Sequence, residues 1–297
     1  MKRRHILFGL AAFGLAACAS APEAPEASAG FASDRIEVTR RGSGPNVVLI
    51  PGLTSHSDVW STTADALDDR YTVHIVQVKG FAGFAAEANA DGPVSAPVAE
   101  EIARYIREQG GGRASLIGHS MGGTIAMMVA ARHPSEVDRV MVVDMFPWMG
   151  AMFGPPGSTA ESVRPTADQI AAQMRAAPPG GSMMEQTIAS MVRTESARPQ
   201  MVQYIRDSDR TTVANAFHEL IVTDLRPELS NIRVPLTVLY VVPPNVPIPA
   251  EQYDAYMRMS YTNTPQARVI KIEESYHFIM VDQFDRFMSE VNGFLAG

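Results

Sequence analysis

Residues 113–134 read RASLIGHSMGGTIAMMVAARHP. Ala114 to Ile117 is a short apolar run with the character of a strand buried on both faces. Met121 to His133 reads as a helix, and Pro134 stops it. Between them Gly118-His119-Ser120-Met121-Gly122 fits G-x-S-x-G, the tight strand-to-helix turn that presents a serine hydroxyl. The glycines carry physical meaning, because so sharp a turn strains the backbone and a Cβ beside it would collide with neighbouring elements. A serine placed there also lies near a helix N-terminus, whose unpaired N–H groups and dipole favour developing negative charge.

Outward from this turn the chain alternates strand and helix. Ile36 to Arg40 alternates as an edge strand does, and Arg41 to Pro45 is a turn. Asn46 to Ile50, Tyr71 to Val78, Val137 to Val143, Leu236 to Val242 and Ala267 to Ile272 are further apolar runs. Helical patterns cover Val98 to Gln109 and Phe284 to Leu295. Such alternation implies an α/β fold with a mainly parallel, doubly wound sheet covered on both faces. One interval departs from it. Between Phe146 and Arg233 only helix-like pieces occur, at Ala167 to Ala176, Met183 to Arg193 and Val213 to Val222, which reads as a helical cap inserted between core strands. The expected organisation is a core of residues 33–146 and 232–297 with a cap over 147–231. Methionine is concentrated here, at Met145, Met149, Met152, Met174, Met183, Met184, Met191 and Met201. Flexible thioethers suit an adaptable apolar pocket, but filling the interior of the cap is the expected role of most of them.

The 297 residues are 46% hydrophobic and 19% charged, enough for one large core. A net charge of -7, with no Lys/Arg run beyond the first residues, argues against a nucleic-acid partner. Residues 1–18, MKRRHILFGLAAFGLAAC, pair a basic start with an apolar stretch too short to span a bilayer, as a signal peptide does. Leu15-Ala16-Ala17-Cys18 resembles the bacterial lipobox. That implies lipid attachment at Cys18, the single cysteine, and a protein anchored on the periplasmic side of the outer or inner membrane. Residues 19–32 begin with Ala, Pro, Glu and Ser and are expected to form a flexible, solvated tether.

With the serine turn in its strand–helix context, the sequence resembles the α/β-hydrolase fold family, in particular its cap-bearing serine hydrolases, from about residue 33 to the C-terminus. VVLIPGLTSHSDVW, residues 47–60, resembles the family's oxyanion loop, with Pro51-Gly52 where many members have His-Gly. By that match the backbone N–H groups of Leu53 and Met121 form the oxyanion hole. ESYHFIMVDQFDRF resembles the C-terminal histidine loop, which makes His277 the base for Ser120. His5 falls in the signal, His74 and His133 have structural explanations available, and His119 is expected to point away from the serine; His56, in the oxyanion loop, could contact substrate, and His218 belongs to a cap helix. The acid has two candidate positions. After Leu236 to Val242, where many members carry it, the chain has Asn245; at the end of the preceding strand stands Asp144, which other members use and which keeps the order nucleophile, acid, base. Asp144 is the expected acid. Asp224 resembles a structural turn, and Asp282 lies too close along the chain to His277 to serve it.

The expected activity is hydrolysis of a small-molecule carboxylic ester with an apolar acyl group, through an acyl-enzyme on Ser120, with neither metal nor organic cofactor. The alternatives are an acyltransferase or cofactor-free perhydrolase on the same fold, or a non-catalytic binding protein whose triad has decayed at Asn245.

Overall fold

The continuous apolar runs pair side by side, and the alternation of side chains within each run explains why. In the computed structural model, which describes residues 26–27, 30–177, 182–244 and 246–297, the strands are β1 (Glu26–Ala27), β2 (Ile36–Arg41), β3 (Asn46–Ile50), β4 (Thr72–Val78), β5 (Ala114–His119), β6 (Val137–Val143), β7 (Leu236–Tyr240) and β8 (Arg268–Lys271). They form one sheet in the order β1-β2-β4-β3-β5-β6-β7-β8. The pairs β1/β2 and β2/β4 are antiparallel and all others parallel. Val48, Ile50, Val76, Val78, Leu116, Val140, Val142 and Val238 face one buried cluster. Their neighbours Val47, Leu49, Val73, Ile75, Ile117, Met141, Val143 and Leu239 face the other. Both faces are covered, so no polar alternation survives in the sequence.

The helices are α1 (Ser61–Asp65), α2 (Ser95–Glu108), α3 (Met121–Arg132), α4 (Ala160–Ala176), α5 (Ser182–Met191), α6 (Arg198–Asp207), α7 (Arg210–Val222), α8 (Ala250–Ser260), α9 (Ile279–Asp282) and α10 (Phe284–Ala296). Ile102 and Ile106 of α2, Ile125 and Val129 of α3, and Met257 of α8 pack on the first face; Ala64 of α1 and Phe287 and Val291 of α10 pack on the second. Helices α4 to α7 lie in the chain between β6 and β7. One of their boundaries differs from the expectation for a reason involving proline, and one helix, α6, was not anticipated. Helix α4 begins seven residues before Ala167, because a reciprocal cap between Thr159 and Ser162 starts it and Pro165 is carried inside it. Helix α6 opens with Arg198-Pro199, a position where a missing N–H costs nothing.

Two further differences concern the entry to the core. Glu26 and Ala27 pair with Arg40 and Thr39, so β2 is not an outermost strand. Phe31, inside the expected tether, packs edge-on against Tyr105 at 4.9 Å and carries Arg104 over its ring. Residues 1–18, with Cys18, and Asn245 lie outside the described residues. Among the described residues no helix is long and apolar enough to cross a membrane.

Helix α7 is fastened to the core by a buried carboxylate. Glu219 accepts hydrogen bonds from the N–H groups of Val94, Ser95 and Ala96 at 2.6–2.8 Å, at the start of α2. These N–H groups have no carbonyl within their own helix, and an anion there is favoured by the dipole as well.

His74, on β4, is wholly buried. Asn46 donates to the carbonyls of Gly110 and Arg113, which leaves its Oδ1 to accept from His74 Nε2–H at 3.0 Å, while His74 Nδ1 accepts from the Tyr105 hydroxyl at 2.8 Å. The ring is therefore neutral, and burial, helped by the charge of Arg40, pushes its pKa down to about 4. Above pH 6.5 the ring is neutral in the folded and unfolded chains alike; between 6.5 and 4 only the unfolded chain takes the proton, so stability falls with pH, by roughly 3 kcal/mol in all. Urea denaturation at pH 7, 5.5 and 4.5 is expected to show this slope, reduced in His74→Gln.

Candidate active site

Ser120 stands between the end of β5 and the first residue of α3 with φ 53° and ψ -122°. A non-glycine residue in such a conformation costs of order 1–3 kcal/mol and persists only where its surroundings hold it. Here they do. Its N–H donates to the Val143 carbonyl of β6 at 2.9 Å, and its carbonyl accepts from Gly123 N–H at 2.7 Å. The turn closes because the glycines lack side chains: a Cβ at Gly118 would lie 2.1 Å from the Gly122 carbonyl oxygen, and one at Gly122 would lie 2.2 Å from the Ile50 carbonyl oxygen.

Asp144 follows β6 and also has a positive φ, 53°. Its N–H donates to the Leu239 carbonyl at 2.7 Å, and its Oδ1 accepts from Val241 N–H at 3.0 Å, so the end of β7 fixes the carboxylate. Its other oxygen, Oδ2, lies 2.6 Å from Nδ1 of His277. A carboxylate only accepts, so Nδ1 carries the proton and the neutral ring keeps its lone pair on Nε2. Both side chains are mostly shielded, 10% exposed for Asp144 and 19% for His277. Ser120, Asp144 and His277 line one cavity of about 670 Å³. No hydrogen bond joins Ser120 Oγ to the imidazole among the described residues; such contacts commonly tighten only when substrate is bound.

Gly52, Leu53 and Thr54 form another side of the cavity. A Cβ on Gly52 would lie 3.0 Å from Ser120 Cβ, so this loop runs directly against the serine. Among the described residues neither the Leu53 nor the Met121 amide donates a hydrogen bond, which leaves both N–H groups available beside it.

His119 departs from the expectation that it points away. Its ring centre is 4.6 Å from that of His277, and its Nε2–H donates to the His277 carbonyl at 3.0 Å. A carbonyl only accepts, which fixes this tautomer. Burial, then the neighbouring His277, holds its pKa well below the ordinary histidine value, so the ring is neutral. His119 thus braces the loop that carries His277 from the strand that leads into Ser120. The other histidines take structural places: His56 caps the turn at Ser57–Trp60 and stacks on Tyr204, His133 pairs with Glu100, and His218 pairs with Asp168. Asp224 closes on Arg226 with both oxygens.

The rest of the cavity is mostly apolar, with Thr187 and Ser190 of α5 among its lining. Met145, Met149, Met152, Met174 and Met191 line it, joined by Met257 of α8, so more of the methionines face the cavity than expected. Met201 and Met184 do pack in the interior. Tyr253 also lines the cavity, and burial together with the charge of Asp144 pushes its hydroxyl above the ordinary tyrosine range, keeping it a neutral phenol. Among the described lining residues there is no Lys or Arg. Among the described residues no three His, Cys, Asp or Glu side chains cluster to hold a metal ion.

Asp282 has a part that no sequence spacing announced. Its Oδ2 accepts from Arg193 N–H at 3.0 Å and Tyr276 N–H at 2.9 Å, and its Oδ1 from Thr194 N–H at 2.8 Å. Two of these donors follow α5, distant in sequence, and the third immediately precedes His277.

Comparison with known proteins accords with this layout. The chain is 27% identical over 206 residues to the pimeloyl-[acyl-carrier protein] methyl ester esterase of Vibrio cholerae, covering 67% of this chain and 76% of that protein. It is 26% identical over 264 residues to the enzyme so described from Aliivibrio fischeri, covering 86% and 95%. In three dimensions it superposes on a hydrolase from Pseudomonas aeruginosa with a TM-score of 0.73 at 18% identity, covering 90% of this chain and 97% of that one. The sequence profile of the Alpha/beta hydrolase family matches residues 47–290, a span that runs from the loop beside Ser120 through the cap helices to the last helix, and the chain belongs to that family.

Proposed function

We propose that the protein is a serine hydrolase that cleaves uncharged carboxylic esters with an apolar acyl group through an acyl-enzyme on Ser120. The observation that carries this reading is the 2.6 Å bond between Asp144 Oδ2 and His277 Nδ1 in a cavity that Ser120 lines. Similarity to esterases over most of the chain supports it. In this reading Ser120 Oγ attacks the ester carbonyl while His277 Nε2 takes its proton. The Leu53 and Met121 amides donate to the oxyanion; fixed donors of this kind contribute about 3–4 kcal/mol each to the transition state. His277 then gives the proton to the departing alkoxide, which leaves as an alcohol. A water molecule, deprotonated by the same ring, attacks the acyl-enzyme and releases the carboxylic acid. Asp144 holds the imidazole in the Nδ1–H tautomer and offsets its charge when protonated.

The same bond weighs against a binding protein with a decayed triad, because an acid other than position 245 is hydrogen-bonded to the imidazole. Transfer to an alcohol or to peroxide would pass through the same acyl-enzyme, and product analysis with competing acceptors distinguishes it from hydrolysis. The absence of Lys and Arg from the described lining supports a preference for uncharged substrates, since a carboxylate buried there would lose its hydration with no partner. We also propose that residues 1–18 direct export and that Cys18 carries lipid holding the protein at the envelope membrane.

Ser120→Ala is expected to abolish ester turnover and labelling by a fluorophosphonate probe, and Asp144→Asn to lower kcat by roughly four orders of magnitude. Retained labelling in Ser120→Ala would reject the serine mechanism. A neutral methyl ester such as methyl pentanoate should exceed monomethyl glutarate in kcat/KM by ~100-fold or more, measured by acid release; equal rates would remove the charge argument. Cys18→Ser should move the protein from the membrane to the soluble fraction on cell fractionation.

A further inference from the structure

Asp282 uses its carboxylate to join two segments that both border the cavity. Its three donors are main-chain N–H groups: Arg193 and Thr194, just past the end of α5, and Tyr276, next to His277. No Lys or Arg pairs with it among the described residues, so its accepting capacity is spent on the backbone. Other bonds cross the same seam. Phe278 N–H donates to the Met191 carbonyl at 3.3 Å, and the Arg193 guanidinium donates to the carbonyl of Glu274, whose φ is 57°. The N-terminal partner in this seam is itself a wall of the cavity: Ile188 and Met191 of α5 line it, as does Phe278 beyond the histidine.

We propose that Asp282 is a positioning residue that couples contact between substrate and α5 to the placement of the His277 imidazole. The proposal rests on the roles given above to Ser120 and His277. An acyl chain long enough to press on Ile188 and Met191 bears on α5; the end of α5 is tied through Arg193 and Thr194 to Asp282; and Asp282 holds the N–H of the residue preceding the base. A carboxylate suits this role because both oxygens accept, and bonds to an ionised acceptor are shorter and stronger than neutral ones. Asparagine keeps the shape but replaces one accepting oxygen with a donor, so at least one of the three N–H groups loses its acceptor whichever way the amide turns.

The test uses the full-length protein and two variants. Asp282→Asn acts at the junction. Thr194→Pro leaves the Asp282 carboxylate in place and removes the N–H that reaches its Oδ1, at a position whose φ of -70° already fits proline. With p-nitrophenyl acetate and hexanoate, the parent is expected to have the larger kcat for hexanoate. Both variants are expected to lower kcat for hexanoate by ~10- to 100-fold while acetate falls less, moving the ratio toward one, because a base displaced by about an ångström loses rate on that scale. KM for hexanoate stays within about threefold, since the apolar wall is still present. A uniform loss for both esters, or an unchanged ratio, would mean that Asp282 only holds the fold together and overturns the proposal. So would a parent whose kcat does not depend on chain length. Fluorophosphonate labelling of the parent and Ser120→Ala, run in parallel, separates the two failures: if turnover survives Ser120→Ala the serine reading fails, and if it does not while the ratio stays put, only the role of Asp282 is lost.

Discussion

Three pieces of backbone approach one another so closely around Ser120 that only glycine fits between them. The Gly122 carbonyl sits where a Cβ on Gly118 would be, and the Ile50 carbonyl where a Cβ on Gly122 would be. This packing holds the end of β3, the end of β5 and the start of α3 in one place, and it maintains the serine at a positive φ that its own side chain disfavours. Much else is arranged around it. The Ser120 N–H hangs on β6, whose next residue is Asp144; Asp144 hangs on β7; and the loop at Gly52 lies against the serine Cβ. A substitution at Gly118 or Gly122 would therefore disturb the relation of three strands, beyond the loss of one turn.

The cap and the core meet through carboxylates that accept main-chain N–H groups. Glu219 does so at the start of α2, and Asp282 does so between α5 and the histidine loop. In both cases the acceptor saturates donors that have no partner in their own element, which is a cheaper solution in a half-buried seam than an ion pair between two long side chains. The cavity between these fastenings is walled by thioethers and Phe, Leu and Val side chains. Methionine, with its unbranched chain, allows such a wall to adapt to contents of differing shape without opening a void.

What the sequence made legible was local or periodic. The turn at Ser120, the strand runs and the main helices follow from patterns a few residues long, and β3 and β6 have the spans read from the sequence. His277 and Asp144 were reachable as candidates through a family likeness, but that Asp144 is hydrogen-bonded to His277 depends on which strand ends beside it, a matter of sheet order. His119, Glu219 and Asp282 were beyond reach for the same reason: they meet partners 158, 125 and 88 residues away. Proline misled the reading of α4, which carries Pro165 in its interior, and α6, which opens with Arg198-Pro199, was not read from the sequence. The methionines were misassigned because composition says that a residue is apolar and says nothing of which side of a cap helix faces the core.

Asp144 and His277 are 133 residues apart, and the loop bearing His277 follows the last strand to join the sheet. On the ribosome, where chains emerge from the N-terminus and domains settle as units, the serine turn can be complete while the imidazole is still unsynthesised. The hydrogen bond between Asp144 and His277 therefore forms only once the final segment has docked against the end of β6.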